Sequence, residues 1–582
     1  MYLEVRMKLP DNVTIKQIKS YWDLAQTEYR KPMKRMTLLD GADRNKMWDV
    51  VGVKLPDYHL KPETNHVHYI KDNVLNSVYT VTKWAEAYPK TQEGIQTAEA
   101  FNVMFSALWD ELNVQDVQLQ AGERAALLNL GITQVGWDSS AIYEDLNGVS
   151  QGMPTLKNID PIKFRRDPYA NDLESGRFCF YADEYHIDTL KANPLYAKGI
   201  DKLEKEFSST EALPKYHTDI SQGANKANTK YLNLIICWVK VYDEKEKRTK
   251  LHVVHTIDAK HVIAVEEDRL PNRYPFALLY CNLPNHDPIG ISEPAKIFIN
   301  SFLYNFMHSI IATHALKASR PPKFLNRQSG LNARTLAKYG NDVDKVFIVN
   351  GLARDAVHFM EFPPLPPELT VLLQTLPTDI MSVTGIDERY TGRDTGSIIT
   401  TGGVEDMLTR VTLRDSVKII NYEKYAKDLT SLIMDNMREF SEERTFLHID
   451  PNSNKALSST INFPALQGAK IQYSISISSE LPKSKARMAQ MANLLMEKQM
   501  QYGMNPPIIT PEEWLSMQDF PNKSLIKGRM EQDRQYNKTE DITRTLTQFA
   551  ELIEQGVPAD QAIQMMVTDE QPPMTNEMPP NV

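Results

Sequence analysis

Apolar residues change their period several times along this chain, and each change marks an element. Residues 15–29 repeat at helical spacing and predict a first helix, followed by a proline-punctuated extended stretch to about residue 60. Residues 66–130 read as helical, most clearly at 98–112 and 121–130. At 131–138 the pattern turns to strict alternation, which predicts a strand after a glycine helix stop at Gly131. Residues 158–170 form a Pro-punctuated loop, 178–182 a short strand, 186–191 the opening of a helix, and 222–229 a polar, exposed loop. In 231–242, 250–256 and 261–265, β-branched and aromatic residues alternate with polar ones between charged turns, predicting a three-stranded antiparallel meander.

The order of elements after Gly290 is more distinctive. A helix at 294–319 is stopped by Pro321 and Pro322, an insert of about forty residues follows, and a second helix spans 367–384, with Pro377 expected to kink or shorten it. A Gly/Thr/Ser-rich loop at 391–403 leads into 404–440, a span without Gly or Pro and about 55 Å long as a helix. Its apolar stripe runs through Val404, Met407, Leu408 and Val411, and again from Tyr422 to Met437, but Arg414, Asp415 and Lys418 interrupt it. A stripe buried at both ends and not in the middle suits a helix that bridges two bodies. Beyond it, 445–450 and 470–479 have strand character, and 483–503 is helical. A capped helix starts at Thr510, helical patterns run to about 567, and the proline-rich end from 569 reads as a disordered tail. The order describes a rod that leaves a body, turns through a knob and returns to present a loop.

Charge sharpens that picture. The chain carries a formal net charge of −9, yet residues 294–341 contain no Asp or Glu and seven basic residues. Six of these, Lys317, Arg320, Lys323, Arg327, Arg334 and Lys338, form a candidate band for guiding a polyanion or docking an acidic partner; the plainer reading is a solvated basic face. Three cysteines without CxxC spacing read as free thiols, and no run is apolar enough for a membrane span. No signal architecture opens the chain, which predicts synthesis in the cytoplasm.

Catalytic readings fare poorly. There is no GxxxxGK[ST] phosphate cradle and no GxSxG elbow, and Gly402-Gly403 lacks a preceding strand. His252 and His255 would point to opposite faces of a strand, which argues against a shared metal with His261. No cofactor, metal or enzymatic activity is predicted.

With these motifs in order, the chain resembles the portal proteins, or head–tail connectors, of tailed bacteriophages. The resemblance rests on 131–138, the Asp160–Pro168 loop, the 231–265 meander, the approach at 274–294, Thr384-Gly385-Ile386, the glycine-rich loop and the helical stretch at 494–534. It implies an α+β, mainly helical portal fold arranged as a ring, usually of twelve subunits. The wing would be 1–290 with return strands at 441–480, the stem helices 291–321 and 364–390, and the clip 322–363. The tunnel loop would be 391–403, with Arg393, Asp394, Thr395, Gly396, Ser397, Ile398, Ile399, Thr400 and Thr401 facing DNA. A long helix at 404–440, a helical crown at 481–567 and a tail at 568–582 complete the assignment. The implied partners are further copies of the chain, double-stranded DNA in transit, the terminase large subunit, head–tail adaptor and tail proteins, and the major capsid and scaffolding proteins. No membrane is implied, and the protein would reside at a capsid vertex of the virion. The alternatives are another ring or adaptor protein of a virion, or a nucleic-acid enzyme with an unrecognised site.

Overall fold

Thr14 caps the first helix in both directions: its hydroxyl accepts from the Gln17 amide, and the Gln17 side chain accepts from the Thr14 amide. The helix it starts, α1 (Ile15–Asp43), does not end near residue 29 but continues through Pro32. The reason is burial: Pro32, Met33, Met36, Leu39 and Ala42 extend the apolar face begun by Ile18, Trp22, Ala25 and Tyr29. Each large side chain so buried contributes about 2 kcal/mol, enough to offset a proline in the interior.

The computed structural model describes residues 9, 13–80, 84–89, 95–145, 148–203, 231–244, 247–267, 273–285, 287–319, 321, 323–339, 346–385, 401–449, 456–466, 473–478, 492–499 and 514. They form an α+β fold. After α1 come α2 (Met47–Val51), α3 (His66–Val74) with a π turn at Leu75–Tyr79, β1 (Trp84–Pro89), α4 (Ile95–Glu111) and α5 (Val114–Leu128). Strands β2 (Leu130–Asp145), β3 (Gly148–Ile159), β4 (Phe164–Arg166) and β5 (Phe178–His186) lead to α6 (Ile187–Ala192) and α7 (Pro194–Leu203). The meander is β6 (Tyr231–Asp243), β7 (Arg248–Ile257) and β8 (His261–Glu267), followed by β9 (Phe276–Tyr280).

The meander is real but belongs to a larger sheet. Strands β4-β5-β6-β7-β8 form one antiparallel sheet, in which Cys179 faces Trp238 across β5 and β6. One core joins α1 residues Ile18, Trp22 and Ala25 to Phe178, Phe180, Ile235 and Val254 of the sheet. Another joins α6 and α7 (Ile187, Leu190, Tyr196, Ile200) to Leu232, Leu234, Ile257 and Ile263. A smaller sheet has the order β3-β2-β9.

At the α5–β2 step the stop residue is Asn129, not Gly131. Asn129 adopts φ 73°, and its buried amide donates to the carbonyls of Asn282 (2.8 Å) and Ile289 (2.7 Å). Gly131 is already in the strand, where a Cβ would lie 2.2 Å from the Ala121 carbonyl oxygen. The glycine serves close helix–strand approach. Strand β1 was not legible as a strand. It pairs antiparallel with a segment nearly 400 residues away in sequence, Trp84 opposite Ser478.

The chain divides into two compact units, residues 1–446 with 459–479, and residues 447–458 with 480–582. In the second, a helical stretch at 492–499 is described, and the Trp514 indole donates to Asn493 Oδ1 (2.7 Å). The loop read at 222–229, the helix start at Thr510, the pattern to 567 and the tail lie outside the described residues.

All three cysteines are free and buried. His255 of β7 is buried against α7, with Nδ1 3.1 Å from the Tyr196 hydroxyl and Nε2 3.9 Å from Glu266 Oε1, beyond hydrogen-bond reach. Burial pushes its pKa down to about 4. A histidine with a lowered folded pKa is neutral in both states above about 6.5, and below that the unfolded chain takes up the proton first. Stability should therefore fall by up to about 3 kcal/mol between pH 6.5 and 4. Urea titrations at both ends of that range should show His255→Gln losing much of this pH dependence.

Candidate functional site

The segment after β9 is built around buried and part-buried polar contacts. Arg35 holds Asp287 (3.0 Å) and the Gly290 carbonyl (2.6 Å), and the Ser292 hydroxyl donates to the Leu127 carbonyl (2.8 Å). These bonds fix the start of α8 (Glu293–Ser319). The insert contains β10 (Lys323–Leu325), α9 (Ala333–Tyr339), α10 (Ala353–Ala356) and β11 (Val357–Phe359), with Leu325 opposite Val357 in an antiparallel ribbon. Then α11 (Pro367–Thr384) returns against α8 and ends at Gly385 in the left-handed region, φ 58°. Pro377 does not shorten α11, because Leu376, Ile380 and Thr384 stay buried on either side of it.

The long helix is α12 (Thr401–Phe440), which starts before the glycines and not after them. Thr401, Gly402 and Gly403 are in its first turn, and Arg393, Asp394, Thr395, Gly396, Ser397, Ile398, Ile399 and Thr400 lie outside the described residues. The chain then continues through β12 (Glu443–Ile449), β13 (Ala456–Asn462), α13 (Phe463–Leu466) and β14 (Tyr473–Ser478). The second half of α12 places Tyr422, Tyr425, Leu429, Leu432 and Met437 in one core with Val135 of β2 and Ala277 and Leu279 of β9, and Tyr422 meets Tyr79 edge-on. Where α12 meets β12, Trp137 stacks on Phe440 and the buried Arg444 donates to the Gly152 carbonyl (2.6 Å).

The middle of α12 overturns the sequence expectation. Asp415 and Lys418, read as breaks in the stripe, are buried. Lys418 Nζ lies 2.9 Å from Asp415 Oδ1 and 3.8 Å from Glu293 Oε1, and Lys296 holds Glu293 at 3.0 Å. Burial works against the Lys418 charge, but Asp415, Cys281 and Glu293 outweigh it and raise its pKa above the usual value. The charges lock the start of α8 to α12. An Asp and a Lys three residues apart inside an apolar stripe were the available signal.

The described basic residues are spread over the end of α8 and the insert. Lys317 sits 4.1 Å from the Tyr58 ring and Lys323 5.9 Å from the Phe359 ring. Arg327, Arg334 and Lys338 are exposed on the insert, Lys338 5.1 Å from the Tyr339 ring, and Arg320 lies outside the described residues. Neither Arg327 nor Arg334 pairs with an acid among the described residues. Glu361, a candidate counter-charge, is exposed, while Asp342 and Asp344 lie outside them.

The insert and helix pair expose an unusual amount of apolar surface. Val346 is 85% exposed, Ile348 89% and Ile299 75%, and Phe324, Leu352, Phe359 and Val371 are exposed as well. Pro321, Leu325, Leu336 and Phe359 line a depression of about 390 Å³ beside the β10–β11 ribbon. No helix among the described residues is long and apolar enough to cross a membrane. A family model described as the phage SU10 portal protein matches residues 68–519, more than half of the chain. No curated protein matches it.

Proposed function

Because the chain belongs to the phage SU10 portal family, and so is a structural component of a phage virion, we propose that it assembles into a closed ring of twelve copies at one capsid vertex. The ring would form the channel through which double-stranded DNA is packaged and ejected, and would dock first the terminase large subunit and then head–tail adaptor and tail proteins. Major capsid and scaffolding proteins would surround it.

The observation that carries this reading is the exposed apolar surface on α8, α11 and the insert. A monomer seldom keeps side chains such as Val346, Ile348 and Ile299 in water, and cyclic copies of the same chain would cover them. In this assignment α8 and α11 are the stem, 322–363 the clip, and the α4, α5 and sheet layers the wing, with 441–480 returning to it. The tunnel loop would then run over 391–400, since α12 begins at Thr401. Residues 481–567 would form the crown.

In a ring, Arg327, Arg334 and Lys338 repeat twelve times at one level. With no acid paired to Arg327 or Arg334 among the described residues, the repeated charges would repel one another until phosphate or an acidic partner arrives. Reversing Arg327 and Arg334 to Glu should leave the fold intact, since both are exposed, and should reduce packaged genomes at least tenfold in a complementation assay. Wild-type packaging by this variant at physiological salt would reduce the band to a solvated surface. Deleting 397–401 should likewise leave assembly intact and impair DNA retention.

A further inference from the structure

Residues 53–65, between α2 and α3, form neither helix nor strand, and they run along α8 in the opposite direction. Asn305 treats the segment as a neighbouring strand would. Its Oδ1 accepts from the Thr64 amide (2.8 Å) and its Nδ2 donates to the Thr64 carbonyl (3.2 Å). One turn on, Ser309 donates to the Leu60 carbonyl (2.5 Å), and one turn further the Leu60 amide donates to Thr313 Oγ1 (3.2 Å). Lys317, a turn later, lies over Tyr58. The upper end is tied by the Trp48 indole to the Pro62 carbonyl (3.0 Å).

The rungs Asn305, Ser309 and Thr313 are all buried and polar, at four-residue spacing, and Ser301 continues the row one turn earlier. The Ser301 hydroxyl is buried without a hydrogen-bond partner, because the segment has by then become helix: Asn65 caps α3 by accepting from the His68 amide (2.9 Å). A permanently closed contact would gain more from apolar residues at these positions. A polar row can be wetted at little cost. Between 54 and 61 no side chain is buried, whereas both flanks are anchored, by Met47 and Trp48 on one side and Val67 and Ile70 on the other.

We propose that residues 53–65 are a releasable clasp, which holds α8 to the α1–α3 layer and opens as a unit while the rest of the fold stays closed. Opening breaks the four bonds to α8, the Trp48–Pro62 bond, the Met47 amide's bond to Glu63 (3.0 Å) and those of Asn65 to Ala42 and Asp43, with no apolar side chain leaving a core, and exposes a face that water can satisfy. It would free the distal half of α8 to move relative to the N-terminal helices. The inference rests on this geometry and not on ring formation.

Hydrogen exchange on the full-length chain tests it. Amides of 58–65 should exchange at least 100-fold faster than those at the centre of α8, and chymotrypsin should nick first at Tyr58 or Leu60. The double substitution Asn305→Ala/Thr313→Ala removes three of the four bonds to Thr64 and Leu60. At about five- to tenfold per bond it should raise opening of 53–65 roughly 100- to 1,000-fold and leave α4 and α12 unchanged. Ser309→Ala alone should raise it about five- to tenfold, which covers the case in which the double variant does not fold. Exchange of 53–65 only together with α8, or equal acceleration of both by Ser309→Ala, would overturn the proposal. Neither outcome bears on whether the chain forms a ring.

Discussion

Replacing Lys418 by Met should destabilise the chain by about 3–5 kcal/mol, because it leaves Asp415 and Glu293 as buried carboxylates facing each other without their shared cation. The side chains of Lys418 and Glu293 are each only 6% exposed, so water cannot make up the loss. Lys296 remains on Glu293, and Asp415 carries most of the penalty. Adding Asp415→Asn to Lys418→Met should recover much of the stability, since the neutral pair no longer buries an unmatched charge. Urea midpoints of the two variants measure this directly. A single variant within about 1 kcal/mol of the parent chain would show that these charges are not a lock.

Placing Asp at both Val346 and Ile348 should abolish assembly and leave the single chain folded. Both side chains are almost fully exposed, so the substitutions should change its own stability by no more than about 0.5 kcal/mol. In an assembly they would force two desolvated charges into each apolar contact, repeated at every subunit boundary. Sedimentation should show monomers with the parent far-ultraviolet spectrum. Assemblies of unchanged size would move the subunit contact away from the insert.

The order of elements between Gly290 and Phe440 could be read from the sequence because local signals fixed it. The helices of the pair run within a residue of their expected ends, since Pro321, Pro367 and Gly385 act on the chain beside them. What stayed hidden depends on distant partners. Strand β1 exists because β14 pairs with it. The continuation of α1 past Pro32 depends on a core assembled from β2, β4 and β9. Of the candidate site, the positions of the exposed basic residues on the insert were legible. The Glu293–Lys418–Asp415 cluster and the Asn305–Ser309–Thr313 row were not, because buried polar residues look like surface in a hydropathy pattern. Their spacing was the one clue, and it becomes meaningful only when the partner element is known.

The mass and shape of the purified protein test the central claim most directly. Mass photometry combined with electron-microscopy class averages should show one closed ring of twelve chains around an open central channel. Monomers or dimers alone, at high concentration and at the salt of an intact virion, would contradict it.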